Sequence, residues 1–187
     1  MENIETINSK EILYRPISRL EIDEVRNIDR YEIVMKMYRY EDGKIIIIDS
    51  TYTKPVKWNT EGLDNSIKHL YDIFDNSGYI IGAFDKSKLV GIVALDSRPI
   101  SKDQLQLYFL HVDNNYRENG VGKTLLEKAK SHALSLGAKQ IYISATESEH
   151  TVKFYLNNGG RVCKLEEVNE SLFQKETLDI PIILNLK

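Results

Sequence analysis

One cysteine, four prolines and one tryptophan are all that 187 residues contain of these types, and each scarcity closes off a class of protein. A lone Cys163 cannot form an intramolecular disulfide, and it excludes any multi-cysteine zinc or iron–sulfur site. Its neighbours, Arg161-Val162-Cys163-Lys164-Leu165, alternate as a strand does, which reads as a packed thiol rather than a nucleophile. No metal site is expected. The chain also lacks internal repeats, low-complexity tracts and Pro/Gly/Ser linkers, so residues 1–187 read as one domain. Nothing approaches the length of a membrane span, and Met1-Glu2-Asn3-Ile4-Glu5 lacks the apolar run of a signal peptide. A cytoplasmic protein without a membrane partner is expected. Basic excess is missing too: the net charge is −3, which gives no reason to expect nucleic acid and fits a small cationic substrate better.

What is present is a hydrophobic fraction of 42%, ample for one continuous core. Glu11 to Pro16 reads as a short strand, and Ser18 can cap a helix carrying Ile22, Val25 and Ile28. Val34, Met35 and Tyr38 then recur at helical spacing, which predicts a second short helix or a bent continuation over Tyr31 to Tyr40. Asp42-Gly43 turns the chain into a strand from Lys44 to Asp49. Leu63, Ile67, Leu70 and Phe74 mark a helix from Thr60, stopped at Asn76-Ser77-Gly78. Strands follow at Tyr79 to Phe84, Leu89 to Asp96 and Leu105 to Val112. The second half alternates: a helix from Gly122 to Leu136, a strand from Gln140 to Ala145, a helix from Glu149 to Asn158, then strands at Arg161 to Leu165 and Ile180 to Leu186. That order predicts an α/β (α+β) fold, a mixed and mostly antiparallel sheet with helices on both faces.

Between the strand ending at Val112 and the next helix lies Arg117-Glu118-Asn119-Gly120-Val121-Gly122-Lys123-Thr124. A helix start presents free N–H groups, and two glycines let the backbone curl around an anion while Arg117 and Lys123 add positive charge. Paired glycines at a helix start also occur for geometric reasons alone. A dinucleotide fingerprint fails because its third glycine would be Leu125, and a triphosphate loop fails because its first would be Arg117. The run Ile45-Ile46-Ile47-Ile48-Asp49 reads as a buried strand rather than a metal-binding one.

The block from Leu105 to Gly122 resembles the GNAT superfamily of N-acetyltransferases, through Val112, Tyr116, Arg117, Gly120 and Gly122. The resemblance continues to Phe154-Tyr155 with Gly159, and covers about residues 79 to 165. Within it, 1–78 would be the acceptor side, 79–165 the CoA-binding core and 166–187 a C-terminal strand region. Departures are Ser148 in place of a common Asn, Gly160 where a Phe often follows the glycine, and Glu118 in place of a common glycine.

The resemblance implies acetyl-CoA as cofactor, bound where central strands splay apart. Backbone groups of Leu110, His111 and Val112 would meet the pantetheine arm, and the N–H groups from Asn119 to Lys123 the pyrophosphate, with Arg117, Glu118, Thr124 and Ser148 also at the cofactor. Tyr155 would be the general acid at the thioester sulfur. Tyr108 stands where relatives carry a Glu base, and Asp103, Gln106 and His111 lie nearby, so the base stays open. The acceptor would be an amine of a small molecule or peptide; Glu24, Asp29, Glu32 and Asp75 could attract it, and Trp58 could floor its pocket. A homodimer is an allowed assembly. The alternative function is an acyl-CoA-binding regulatory module without catalysis.

Overall fold

Strand order in the main sheet follows from three hairpins, one helical crossover and a late insertion. The computed structural model describes residues 3–7, 10–56 and 60–187; Trp58 lies outside them. The strands β1 (Asn3–Ile7) and β2 (Lys10–Pro16) pair antiparallel. Next comes a 3₁₀ helix, Arg19–Asn27, entered where the Glu21 carboxylate accepts from the Ser18 N–H at 2.8 Å and hydroxyl at 2.9 Å. It buries Ile22 and Val25, with Ile28 just beyond.

The helix expected over Tyr31 to Tyr40 is instead a strand, β3 (Glu32–Glu41), paired with β4 (Lys44–Val56) as a separate two-stranded sheet. The reason lies in the turn. Asp42 and Gly43 take φ of 47° and 81°, the left-handed pair that a two-residue hairpin requires. Alternation then turns Tyr38 and Tyr40 to the core, while Ile33 and Met35 stay exposed, so helical spacing here marks no buried face.

Helix α1 (Thr60–Asp75) buries Leu63, Ile67, Leu70 and Ile73, with Phe74 only partly covered. The meander β5 (Tyr79–Asp85), β6 (Lys88–Ser101) and β7 (Gln104–Val112) follows. Helix α2 (Val121–Ser135) crosses to β8 (Gln140–Ala145), which runs parallel to β7. After α3 (Glu149–Asn157) come β9 (Gly160–Val162), a short α4 (Glu170–Phe173), and β10 (Ile180–Asn185). The strand expected to reach Leu165 stops early. There the Glu167 carboxylate takes the Arg161 guanidinium at 2.6 Å and the Lys164 N–H at 2.9 Å, turning the chain into a 3₁₀ segment.

The eight-stranded sheet has the order β1-β2-β5-β6-β7-β8-β10-β9. Both of its faces are covered. Ile81 and Ala83 of β5 pack with α2 residues Leu125 and Ala129, whereas Ile80 and Phe84 pack with Leu70 of α1 and Val25 of the 3₁₀ helix. The fold is thus the mixed, mostly antiparallel α/β arrangement expected. Cys163 is fully buried beside Tyr142 and Ile183, and burial pushes its thiol up to about 12. No described helix is long and apolar enough to cross a membrane.

Candidate active site

The site begins where two parallel strands part. β7 and β8 pair only at Gln104–Gln140, Leu105–Ile141 and Gln106–Tyr142; beyond Gln106, β7 continues without β8 as neighbour. The Asp113 N–H bonds the Val90 carbonyl at 2.9 Å on the β6 side. Strand alternation therefore turns the main-chain groups of Leu110 and Val112 to the open side.

The loop that follows is fixed by Asp113. This buried carboxylate accepts from Lys88 Nζ at 2.9 Å, the Asn115 N–H at 3.1 Å and the Asp29 N–H at 3.3 Å. Burial alone would raise its pKa, but these bonds prevail and hold it below the ordinary value. Tyr116 adds a bond to Asp85 at 2.6 Å. Gly120 then takes φ +82° at the entrance of α2, and the first helical bond runs from the Thr124 N–H to the Gly120 carbonyl at 3.0 Å. The N–H groups of Val121, Gly122 and Lys123 lie ahead of that bond, as at any helix start.

A cavity of about 1000 Å³ joins these parts. Its wall includes Tyr108, Leu110, His111, Val112, Arg117, Glu118, Gly120, Gly122, Lys123 and Tyr155. A Cβ on Gly122 would make ordinary contacts, 3.4 Å from Phe154 and 3.5 Å from Val112 Cγ2. The side chains of other residues expected at the cofactor are engaged elsewhere. The Asn119 amide bonds back to the Arg117 carbonyl at 2.8 Å, Val121 is in the core, and the Thr124 hydroxyl bonds Glu5. Ser148 is buried as the N-cap of α3, its hydroxyl accepting from the Thr151 N–H. Arg117 donates to the carbonyls of Val112 and Tyr31, both at 3.1 Å, so two of its donors brace the backbone. Glu118 is exposed with φ +62°.

Tyr155 is 5% exposed. Burial, then the charge of Asp179, raises its pKa. Gly160 explains its own presence: a Cβ there would come within 2.7 Å of the Tyr155 carbonyl oxygen, so no larger residue fits. Tyr108 packs against His69, ring centroids 4.1 Å apart, and burial raises its pKa as well. His111 is pushed down to about 3 by burial, with Arg30 and Arg117 acting in the same direction, so its imidazole is neutral at pH 7.

Of the acidic residues considered for the acceptor, only Glu32 reaches the cavity. Asp75 is held by Arg19 at 2.8 Å, Glu24 by Asn27 at 2.6 Å, and Asp29 accepts from the Tyr31 N–H at 2.9 Å. Sequence reasoning missed Glu147, Glu176 and Asp179, which do line it. Their signal is the register of β10 on β8: Ile180 faces Ala145, so the residues just outside both strands emerge at one edge.

Comparison with known proteins agrees with this geometry. The sequence matches the Acetyltransferase (GNAT) family over residues 32–159. The chain belongs to that family. Its class of reaction is acetyl transfer, and its cofactor is acetyl-CoA. No curated protein sequence matches this GNAT protein. Among solved structures it is similar to a nourseothricin acetyltransferase, at 13% identity and a TM-score of 0.73, covering 94% of this chain and 99% of that one. A putative streptothricin acetyltransferase from Bacillus anthracis str. Ames, solved with acetyl coenzyme A, is 18% identical with a TM-score of 0.67 and coverage of 94% and 99%. The PaiA N-acetyltransferase from Thermoplasma acidophilum, solved with coenzyme A, is 18% identical with a TM-score of 0.60 and coverage of 93% and 98%. At such identities the likeness shows the fold.

Proposed function

We propose that this protein is an N-acetyltransferase that carries an acetyl group from acetyl-CoA to a primary amine of a small molecule or peptide, by direct attack in a ternary complex. One observation supports this most: a single cavity runs from the α2 N-terminus, along the open edge of β7, to Tyr155. Bound acetyl-CoA supplies an activated acyl carbon and a thiol leaving group. The N–H groups of Val121, Gly122 and Lys123 take the pyrophosphate, helped by the positive end of α2. Main-chain groups of Leu110 and Val112 align the arm as an added strand would. The Val112 N–H polarises the acyl oxygen, and the Tyr155 O–H, kept protonated by its surroundings, gives its proton to the leaving sulfur. Residues 1–78 contribute the acceptor side through Arg30, Glu32 and Ser66.

The test is calorimetric titration with acetyl-CoA, followed by free-thiol release over a panel of amines. Nourseothricin and streptothricin belong in that panel, because two structurally similar proteins are named for them. Saturable binding with thiol release from at least one amine is expected. Binding without turnover across the panel would point instead to a regulatory module.

A further inference from the structure

Two stretches far apart in the chain grip each other where β7 and β8 part. Asp29 gives both of its main-chain groups to the loop before α2: its N–H donates to Asp113 Oδ2 at 3.3 Å, and its carbonyl accepts from the Asn114 N–H at 2.8 Å. Two residues on, the Tyr31 carbonyl accepts from Arg117 Nη1 at 3.1 Å, while the Tyr31 N–H donates to the Asp29 carboxylate at 2.9 Å. The backbone is thus pinned at residues 29 and 31. Arg30 between them and Glu32 beyond them line the cavity.

The far end of this segment is tied as well. The Tyr38 N–H bonds the Glu147 carbonyl at 2.8 Å, and Met37 bridges Ser148, both partners lying just past the end of β8. Asp113, Asn114 and Arg117 lie just past the end of β7. Residues 29–38 therefore cross from the chain that leaves one parting strand to the chain that leaves the other. Arg30 belongs to neither the 3₁₀ helix nor β3, so regular secondary structure does not set its place. The three bonds from residues 113–117 do.

Resting on the acetyltransferase reading, we propose that Asp113, Asn114 and Arg117 are positioning residues for the acceptor: by clamping Asp29 and Tyr31 they fix where Arg30 and Glu32 stand to meet it. The clamp also joins the acceptor side to the cofactor side. Opening residues 29–31 breaks bonds to a loop that leads into the α2 start at Val121. A ligand that holds this loop in place disfavours every opening that needs the loop to move.

Amide hydrogen exchange at Asp29 and Tyr31, with and without CoA, tests the clamp before any acceptor is added. With CoA at about ten times its Kd, exchange at both should slow about fivefold or more in the wild type, against a ceiling of about elevenfold if opening abolished binding. Asn114→Pro removes the N–H that meets the Asp29 carbonyl. The ring fits there, because Asp113 at φ −52° and ψ 135° already has the backbone that precedes a proline, and Asn114 opens a 3₁₀ turn. Asn114→Ala keeps the N–H. The proline variant should lose the CoA-dependent slowing with CoA affinity within about twofold of wild type, and the alanine variant should keep it. With the amine selected by thiol release, Asn114→Pro should raise the acceptor KM about fivefold and leave kcat within about twofold, the mark of lost acceptor binding rather than lost chemistry.

No slowing in the wild type, slowing that survives in the proline variant, or an unchanged acceptor KM overturns the proposal. Should Asn114→Pro not fold, the wild-type exchange decides alone. Wild-type protein that binds no CoA, or acetylates no amine, would instead sink the acetyl-transfer reading and this proposal with it.

Discussion

Arg117 Nε donates to the Val112 carbonyl at 3.1 Å, and Nη1 of the same guanidinium donates to the Tyr31 carbonyl at 3.1 Å. One side chain thus ties the end of β7, the loop before α2 and the segment leading into β3. Arg117→Ala should cost about 1–3 kcal/mol of stability, the range for losing hydrogen bonds to a charged donor. Arg117→Lys should recover less than half of this, since an ammonium cannot reproduce the planar fork. Urea denaturation measures both, and an Arg117→Ala protein as stable as the wild type would refute the bracing role.

Two glycines of the loop should respond differently to alanine. Gly120 at φ +82° has open space around it, so Gly120→Ala meets only backbone strain, of about 1–2 kcal/mol. At Gly122 φ is unremarkable and the added Cβ makes ordinary contacts at 3.4 Å and 3.5 Å. Gly122→Ala should therefore keep its stability yet weaken CoA, roughly tenfold or about 1.4 kcal/mol, by filling the ligand's space. Thermal unfolding and CoA calorimetry on both variants check the contrast.

Tyr155→Phe should fold normally, because phenylalanine fills the same buried space. CoA affinity should stay within twofold. Turnover should fall by about 10²–10⁴, the usual contribution of a positioned acid. Stopped-flow measurement of acetyl transfer decides this, and unchanged turnover would remove Tyr155 from the mechanism.

Acid stability should depend on two ion pairs. The Arg15 guanidinium lowers Glu21, and the Arg161 guanidinium lowers Glu167, each from 4.5 to about 2. A depressed carboxyl pKa means stability that is present above pH 4.5 and is lost as pH falls toward about 2. Glu21→Gln and Glu167→Gln should each lower Tm at pH 7, with the difference from wild type vanishing near pH 2. A difference that persists there would mean that packing, not charge, holds these turns.

Much of the fold was legible because local chemistry dictated it. Leu63, Ile67 and Leu70 place one face of α1 in the core whatever surrounds it, and the three strands from Tyr79 to Val112 follow from their turns and apolar runs. β3 was misread because Val34 and Tyr38 fit both periods, while Met35, which fits only the helical one, is exposed. Only pairing with β4 across Asp42-Gly43 selects the strand.

The sequence by itself determined the family and the loop proposed for the cofactor's phosphates, since that loop is built from consecutive residues whose glycines and helix start act locally. Only the tertiary structure brings together the other end of the cavity. Glu147 and Asp179 are far apart in the chain, and they meet because β10 inserts beside β8 with Ile180 opposite Ala145. No local pattern encodes that register, so the carboxylates around Tyr155 become visible only once the sheet is assembled.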